Sequence, residues 1–140
     1  MRLWLLLTAL GACTAYQDLS VELPPNQGAL LDAGAVPWGF EEAQPFYRSG
    51  HRRGLALRRV TAGSLVDLLK LRAGDVIREF DGIECDDLLA CRAGAMRMEE
   101  AMRRREPFEL TVERDGRLWR ISARHAAFAP FDPEGAESTP

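Results

Sequence analysis

Cysteine is the first residue type to weigh, because the three cysteines of this chain stand in two different settings. Cys13 closes the run Leu10-Gly11-Ala12-Cys13, behind Arg2 and the apolar stretch Leu3-Trp4-Leu5-Leu6-Leu7-Thr8-Ala9. A positive start, a short apolar run and small residues before a cut site read as a secretory signal over residues 1–12. The run is well short of the ~20 apolar residues a spanning helix needs. Cys85 and Cys91 are separated by Asp86-Asp87-Leu88-Leu89-Ala90. In an exported protein two such thiols tend to pair, and a bridge would staple a loop onto the start of a helix. The spacing permits that geometry without imposing it, and it equally suits Cys85 as a core residue and Cys91 as a small helix residue.

No other grouping of residues points to catalysis. The only histidines, His51 and His125, are far apart and in polar surroundings. The chain has no His-Glu-x-x-His zinc pair, no Gly-x-Ser-x-Gly elbow and no convincing phosphate loop. Asp86-Asp87 and Glu99-Glu100 are adjacent pairs whose side chains diverge on a helix, so a solvated acidic face is favoured over a metal site. The expectation is a protein without enzymatic activity, cofactor or metal. A formal net charge of -3 over 140 residues gives no global reason to bind nucleic acid. Arg48, Arg52, Arg53, Arg58 and Arg59 form a local basic cluster. It could meet an acidic partner, but a solvated face is the simpler reading.

The elements that would position a binding surface follow from pattern. Phe46-Tyr47-Arg48 reads as a short strand, and Ser49 to Gly54 as a polar turn. Leu55-Ala56-Leu57-Arg58-Arg59-Val60 follows as a second strand. Ser64-Leu65-Val66-Asp67 is a capping-box-like helix start. Val76 to Phe80 is a core strand between the turn signals Gly74-Asp75 and Asp81-Gly82. Ala95 to Arg105 carries Met98, Ala101 and Met102 at helical spacing, and Pro107 prevents its continuation. Phe108, Leu110 and Val112 alternate with polar residues, Asp115-Gly116 signals a hairpin, and Trp119, Ile121 and Ala123 return. Trp38-Gly39-Phe40 should cap one end of the core. Residues 13–36 are weakly patterned and read as a flexible tether. From Phe128 on, Pro, Gly and acidic residues indicate a disordered tail within 127–140. The fold class is α+β: a small, partly open antiparallel barrel or sandwich capped by two helices.

This order, with Gly54-Leu55-Ala56-Leu57, Ala62-Gly63-Ser64, Leu71-Arg72-Ala73-Gly74-Asp75-Val76-Ile77 and Asp81-Gly82, resembles a bacterial PDZ domain over roughly residues 45–124. Within that family it looks most like the PDZ domain at the end of the type II secretion C component. The resemblance implies a PDZ-like domain over 37–126 that binds a protein or peptide by strand addition. Carried over, the edge strand is Phe46, Tyr47 and Arg48, facing the helix that bears Met98 and Met102. Trp38, Gly39 and Phe40 would form the loop that receives a peptide carboxylate. Met98 and Met102 at helical spacing also suit a core, which is the commoner use of such a stripe. Leu10-Gly11-Ala12-Cys13 resembles a bacterial lipobox, which implies lipidation at Cys13 and attachment to the periplasmic face of the envelope. Thr14 stands where a retaining Asp would, which favours the outer membrane. Three roles stay open: an accessory of type II-like secretion, a substrate-recognition subunit acting in trans for an envelope protease, and a structural scaffold. The oligomeric state is not legible.

Overall fold

Alternation builds the sheet. In a computed structural model, which describes residues 15–40 and 43–128, the apolar set Phe108, Leu110 and Val112 points into the core, and Glu109 and Glu113 point out. The elements are β1 (Gln17–Leu23), α1 (Gln27–Asp32), β2 (Ala43–Arg48), β3 (His51–Leu57), α2 (Leu65–Leu68), β4 (Val76–Phe80), β5 (Ile83–Glu84), α3 (Leu88–Arg103), β6 (Phe108–Arg114) and β7 (Arg117–His125). The sheet runs β1-β7-β6-β4-β3-β2, with the short β5 paired to β4. Every described pairing is antiparallel except β1 with β7. The fold is thus α+β, and its sheet is open at β1 and at β2.

One face of the sheet meets the helices. Ile77, Phe80, Leu110, Val112 and Ile121 pack there against Leu65, Val66, Met98 and Met102. Gly94 of α3 sits where an added Cβ would lie 2.6 Å from the Cβ of Phe80, so helix and strand approach at a distance only glycine permits. The other face is covered by no described helix and carries a ladder of charge. Arg120 bonds Glu109 at 2.9 Å, Arg124 meets Glu22 at 3.4 Å, and Glu113 takes Arg48 at 2.8 Å and Arg78 at 3.3 Å. The exposed pairs among these contribute about 0–1 kcal/mol each, so this face is held mainly by its backbone ladder and by the core behind it.

The Gly-Asp-Val-Ile segment owes its place to Asp75. The Asp75 carboxylate accepts from the Arg72 N–H at 2.8 Å, closing the turn before β4. It also takes both Nε and Nη2 of Arg114 at 2.9 and 2.8 Å. Arg114 donates as well to the carbonyl of Lys70, 2.9 Å away. Both members of the pair are buried, and the hydrogen bond to Asp75 raises the Arg114 pKa despite burial. The pair therefore ties the end of β6 to the turn that opens β4. Lys70, placed where a glycine would be unstrained, holds a left-handed φ of 63° at the end of α2.

The segment 13–36 is not a tether throughout. Gln17–Leu23 is a strand paired in parallel with β7 over seven residues, and Val21 and Leu23 are 4% and 1% exposed. Leu19, Val21 and Leu23 alternate with polar residues, and their burial outweighs the solvation of a free chain. After Pro24-Pro25, α1 lies against α3, with Gly28 so close that a Cβ would meet the Met102 carbonyl oxygen at 2.8 Å. The sheet thereby gains an edge strand, and the core gains a third helix. The signal segment 1–12, Cys13 and residues 129–140 of the tail lie outside the described residues. Of the tail, Phe128 is exposed under the Arg105 guanidinium, 4.7 Å from its ring centre.

Candidate functional site

The open edge of β2 is the place to look for strand addition, because among the described residues its outer backbone groups have no neighbouring strand. Which groups face outward follows from β3. Leu57 turns its N–H to the Asp75 carbonyl and its own carbonyl to the Gly74 N–H, both at 2.8 Å and both away from β2. Ala43, opposite Leu57, therefore turns its own polar groups to the open side, and Pro45, two residues on, does the same. The edge is short of donors. The Ala43 N–H already donates to the Phe40 carbonyl at 3.0 Å, and Pro45 has none. Its acceptors, the Ala43 and Pro45 carbonyls, remain.

The side chains of β2 divide between the two faces. Ala43 packs against the core, so alternation puts Pro45 and Tyr47 on the helix side of the sheet. Tyr47 is 60% exposed there. Phe46 and Arg48 lie on the opposite, charged face: Arg48 bonds Glu113, and its guanidinium stands 5.6 Å from the Phe46 ring centre. Of the three residues assigned to this strand's peptide surface, only Tyr47 is on the side that looks toward the helices. The irregular register between Phe46 and Tyr47 does not change this, because two β3 residues oppose a single step of β2.

Trp38, Gly39 and Phe40 precede that edge as a rigid segment. The carbonyls of Pro37 and Trp38 accept from the Leu65 and Val66 N–H groups at 2.9 and 3.2 Å, capping α2. Gly39 has φ +89°, and an added Cβ would lie 2.6 Å from Ser64 Oγ. The Phe40 ring meets Phe80 edge-on at 6.2 Å. Among the described residues, the N–H groups of Trp38, Gly39 and Phe40 donate to no partner. Packed carbonyls and uncommitted amides together are what a carboxylate-receiving loop requires.

The methionines do not line a groove. Met98 and Met102 are 0% and 1% exposed, in the middle of the core stripe Cys91, Gly94, Met98, Ala101 and Met102. The 3.6-residue period that made them visible is the period of a buried face. The apolar residues that α3 does expose are Leu88, Leu89 and Met96. Leu89 and Met96 lie seven positions apart and so share one outer face, a spacing that sequence pattern could have revealed.

Cys85 and Cys91 are joined as a disulfide, with Cα atoms 4.4 Å apart. It fastens the end of β5 to the first turn of α3, just behind Asp87, whose carboxylate caps that helix on the Ala90 N–H at 2.8 Å. Among the described residues no cluster of three His, Cys, Asp or Glu side chains could hold a metal. No described helix is long and apolar enough to cross a membrane.

No protein-family profile matches the chain. No curated protein matches it either. Among solved structures the chain is similar to the PDZ domain of EpsC from Vibrio cholerae, with a TM-score of 0.45 and 17% identity, over 71% of this chain and 97% of that domain. At that distance neither binding nor activity transfers from one chain to the other.

Proposed function

We propose that this chain is a non-catalytic binding module of the PDZ type, held at the bacterial envelope by a lipid on Cys13. Its ligand is an extended protein or peptide C-terminus. The observation that carries this reading is a set of uncommitted backbone amides at Trp38, Gly39 and Phe40, three to five residues ahead of the open edge that begins at Ala43. A terminal carboxylate accepts from such amides, while the backbone of the residues preceding it donates to the Ala43 and Pro45 carbonyls. Tyr47 supplies an aromatic side chain next to that path. Service to a type II-like secretion machine is the finer form of the proposal, motivated by the Tyr-Arg strand and the Glu113-Arg114-Asp115-Gly116 hairpin.

The test is selection from a library of peptides displayed with free C-termini, followed by amide chemical-shift mapping of the winners. The expected result is an enriched C-terminal motif that moves the amides of residues 38–47 and binds at least about tenfold more weakly when its carboxylate is amidated, the loss of one charged contact. Amidated and free peptides binding alike would refute the carboxylate site. A chain from neighbouring secretion genes carrying the motif would support the secretion role, and an exported protease substrate carrying it would support recognition in trans.

A further inference from the structure

Three arginines converge at the point where the chain leaves the fold toward Cys13. Ala15 and Gln17 line a cleft of ≈ 460 Å³ whose other walls include Arg48, Arg78, Arg117 and Glu113. Glu113 bonds both Arg48 and Arg78, and Arg117 forms no ion pair with a described residue. Three guanidinium groups against one carboxylate leave two positive charges in the cleft. Asp115, exposed in the adjoining β6–β7 turn, is the nearest further acid in sequence to Arg117. The three cations come from β2, β4 and β7, so the sheet itself fixes their spacing.

We propose that this cleft binds the phosphate of a net-anionic phospholipid, whose charge no headgroup cation cancels, in the same leaflet that holds the Cys13 lipid. The proposal rests on the lipidation read above. Ala15 is two residues beyond Cys13, so their Cα atoms are at most ~7 Å apart. The headgroup layer on each side of the hydrocarbon is about 5–8 Å deep. A chain anchored through Cys13 therefore carries Ala15, and the cleft beside it, at headgroup depth. Phosphate oxygens are what a set of planar guanidinium forks binds best. Tyr16 adds an amphipathic ring at the same level, with the Arg120 guanidinium 4.7 Å from its centre. The consequence for function is orientation. With β1 giving no slack, the domain lies flush on the bilayer rather than at the end of a leash.

The experiment uses the mature chain from residue 13 with Cys13→Ser, so that acyl chains contribute nothing, in co-sedimentation with vesicles. Phosphatidylglycerol mixed into phosphatidylcholine should bind the chain, and phosphatidylcholine alone should not. Arg117→Gln, at an exposed residue without an ion pair, should weaken partition about fivefold, the effect of one cation near an anionic surface. Equal binding to both vesicles, or an Arg117→Gln chain that binds as the parent does, would overturn the proposal. Inorganic phosphate that binds the chain in the absence of vesicles, with the same Arg117 dependence, would move the ligand from lipid to free anion and overturn it as well. Binding to polyglutamate but not to phosphatidylglycerol would assign the cleft to an acidic protein instead. Mass measurement of Cys13 in the native chain is separate: an unmodified thiol defeats the anchor and leaves the vesicle result to decide the cleft.

Discussion

The two open edges of the sheet solve opposite problems. β1 is long, seven residues in unbroken parallel register with β7, and three of its side chains pack with the core. β2 is paired with a β3 that carries one extra residue opposite it, contains a proline, and ends in exposed Tyr47 and Arg48. An edge that only needs to hold its place can afford buried leucines. The β2 edge is kept from pairing indiscriminately by Pro45, which withholds a donor. The difference teaches that apolar burial is concentrated on the β1 edge, while the β2 edge is left open and polar.

The largest effect that could break this comparison is on β1. Leu23, 1% exposed, should cost about 2–5 kcal/mol when replaced by alanine, the range for a buried leucine leaving a cavity. Tyr47→Ala on the opposite edge should stay within about 0.5 kcal/mol, because Tyr47 is mostly in solvent. Urea unfolding of the two variants measures both. A Leu23→Ala variant as stable as the parent would return residues 17–23 to the status of a tether.

The pattern for β1 was present in the sequence. Leu19, Val21 and Leu23 alternate with Asp18, Ser20 and Glu22 as cleanly as the β6 residues do. It was obscured by the adjacent signal segment and by Pro24-Pro25, which suggest a leash when the partner strand is about 100 residues away in sequence. Strands joined by local hairpins, such as β2–β3 and β6–β7, announce themselves through Ser49-Gly50 and Asp115-Gly116, whose positive φ values make the turns. A parallel partner has no turn to announce it. The same limit applies to the site. That Phe46-Tyr47-Arg48 forms an edge strand was legible, but which face each residue occupies was not, since one added apolar residue inverts the assignment. Met98 and Met102 were visible only as a periodic stripe, and periodicity reports burial before it reports binding.

A smaller effect separates the edges by pH. His125 lies opposite Leu23 in the β1–β7 register, and neither ring nitrogen, both buried, finds a partner. Burial, and next the charge of Arg105, lower its pKa from the usual 6.5. Its folded value is then below its unfolded one, so the unfolded chain binds the proton more readily. The resulting stability is whole above about pH 6.5 and is lost as pH falls through the lower, folded value. The urea midpoint of the parent should fall between pH 7 and the onset of carboxylate titration, and that of His125→Phe should fall less. Parallel curves for the two proteins would remove His125 as the source.

The smallest effect is the most specific to recognition. Pro45 withholds a donor from the open edge at a position where β2 turns its polar groups outward. Pro45→Ala restores that N–H without touching the core. Against the folded chain alone the change should be slightly unfavourable, about 0.4–1 kcal/mol, because the unfolded chain regains freedom that proline denied it. Against a strand-adding peptide it should be favourable, since one more carbonyl of the ligand is satisfied; a net hydrogen bond of about 1 kcal/mol corresponds to roughly fivefold tighter binding. Stability and affinity thus move in opposite directions, which a change confined to the fold cannot produce. Calorimetric titration with a selected C-terminal peptide, beside the unfolding curve of the same variant, reads both. Unchanged affinity would mean that the peptide pairs elsewhere, and the β1 edge would then be the one to probe.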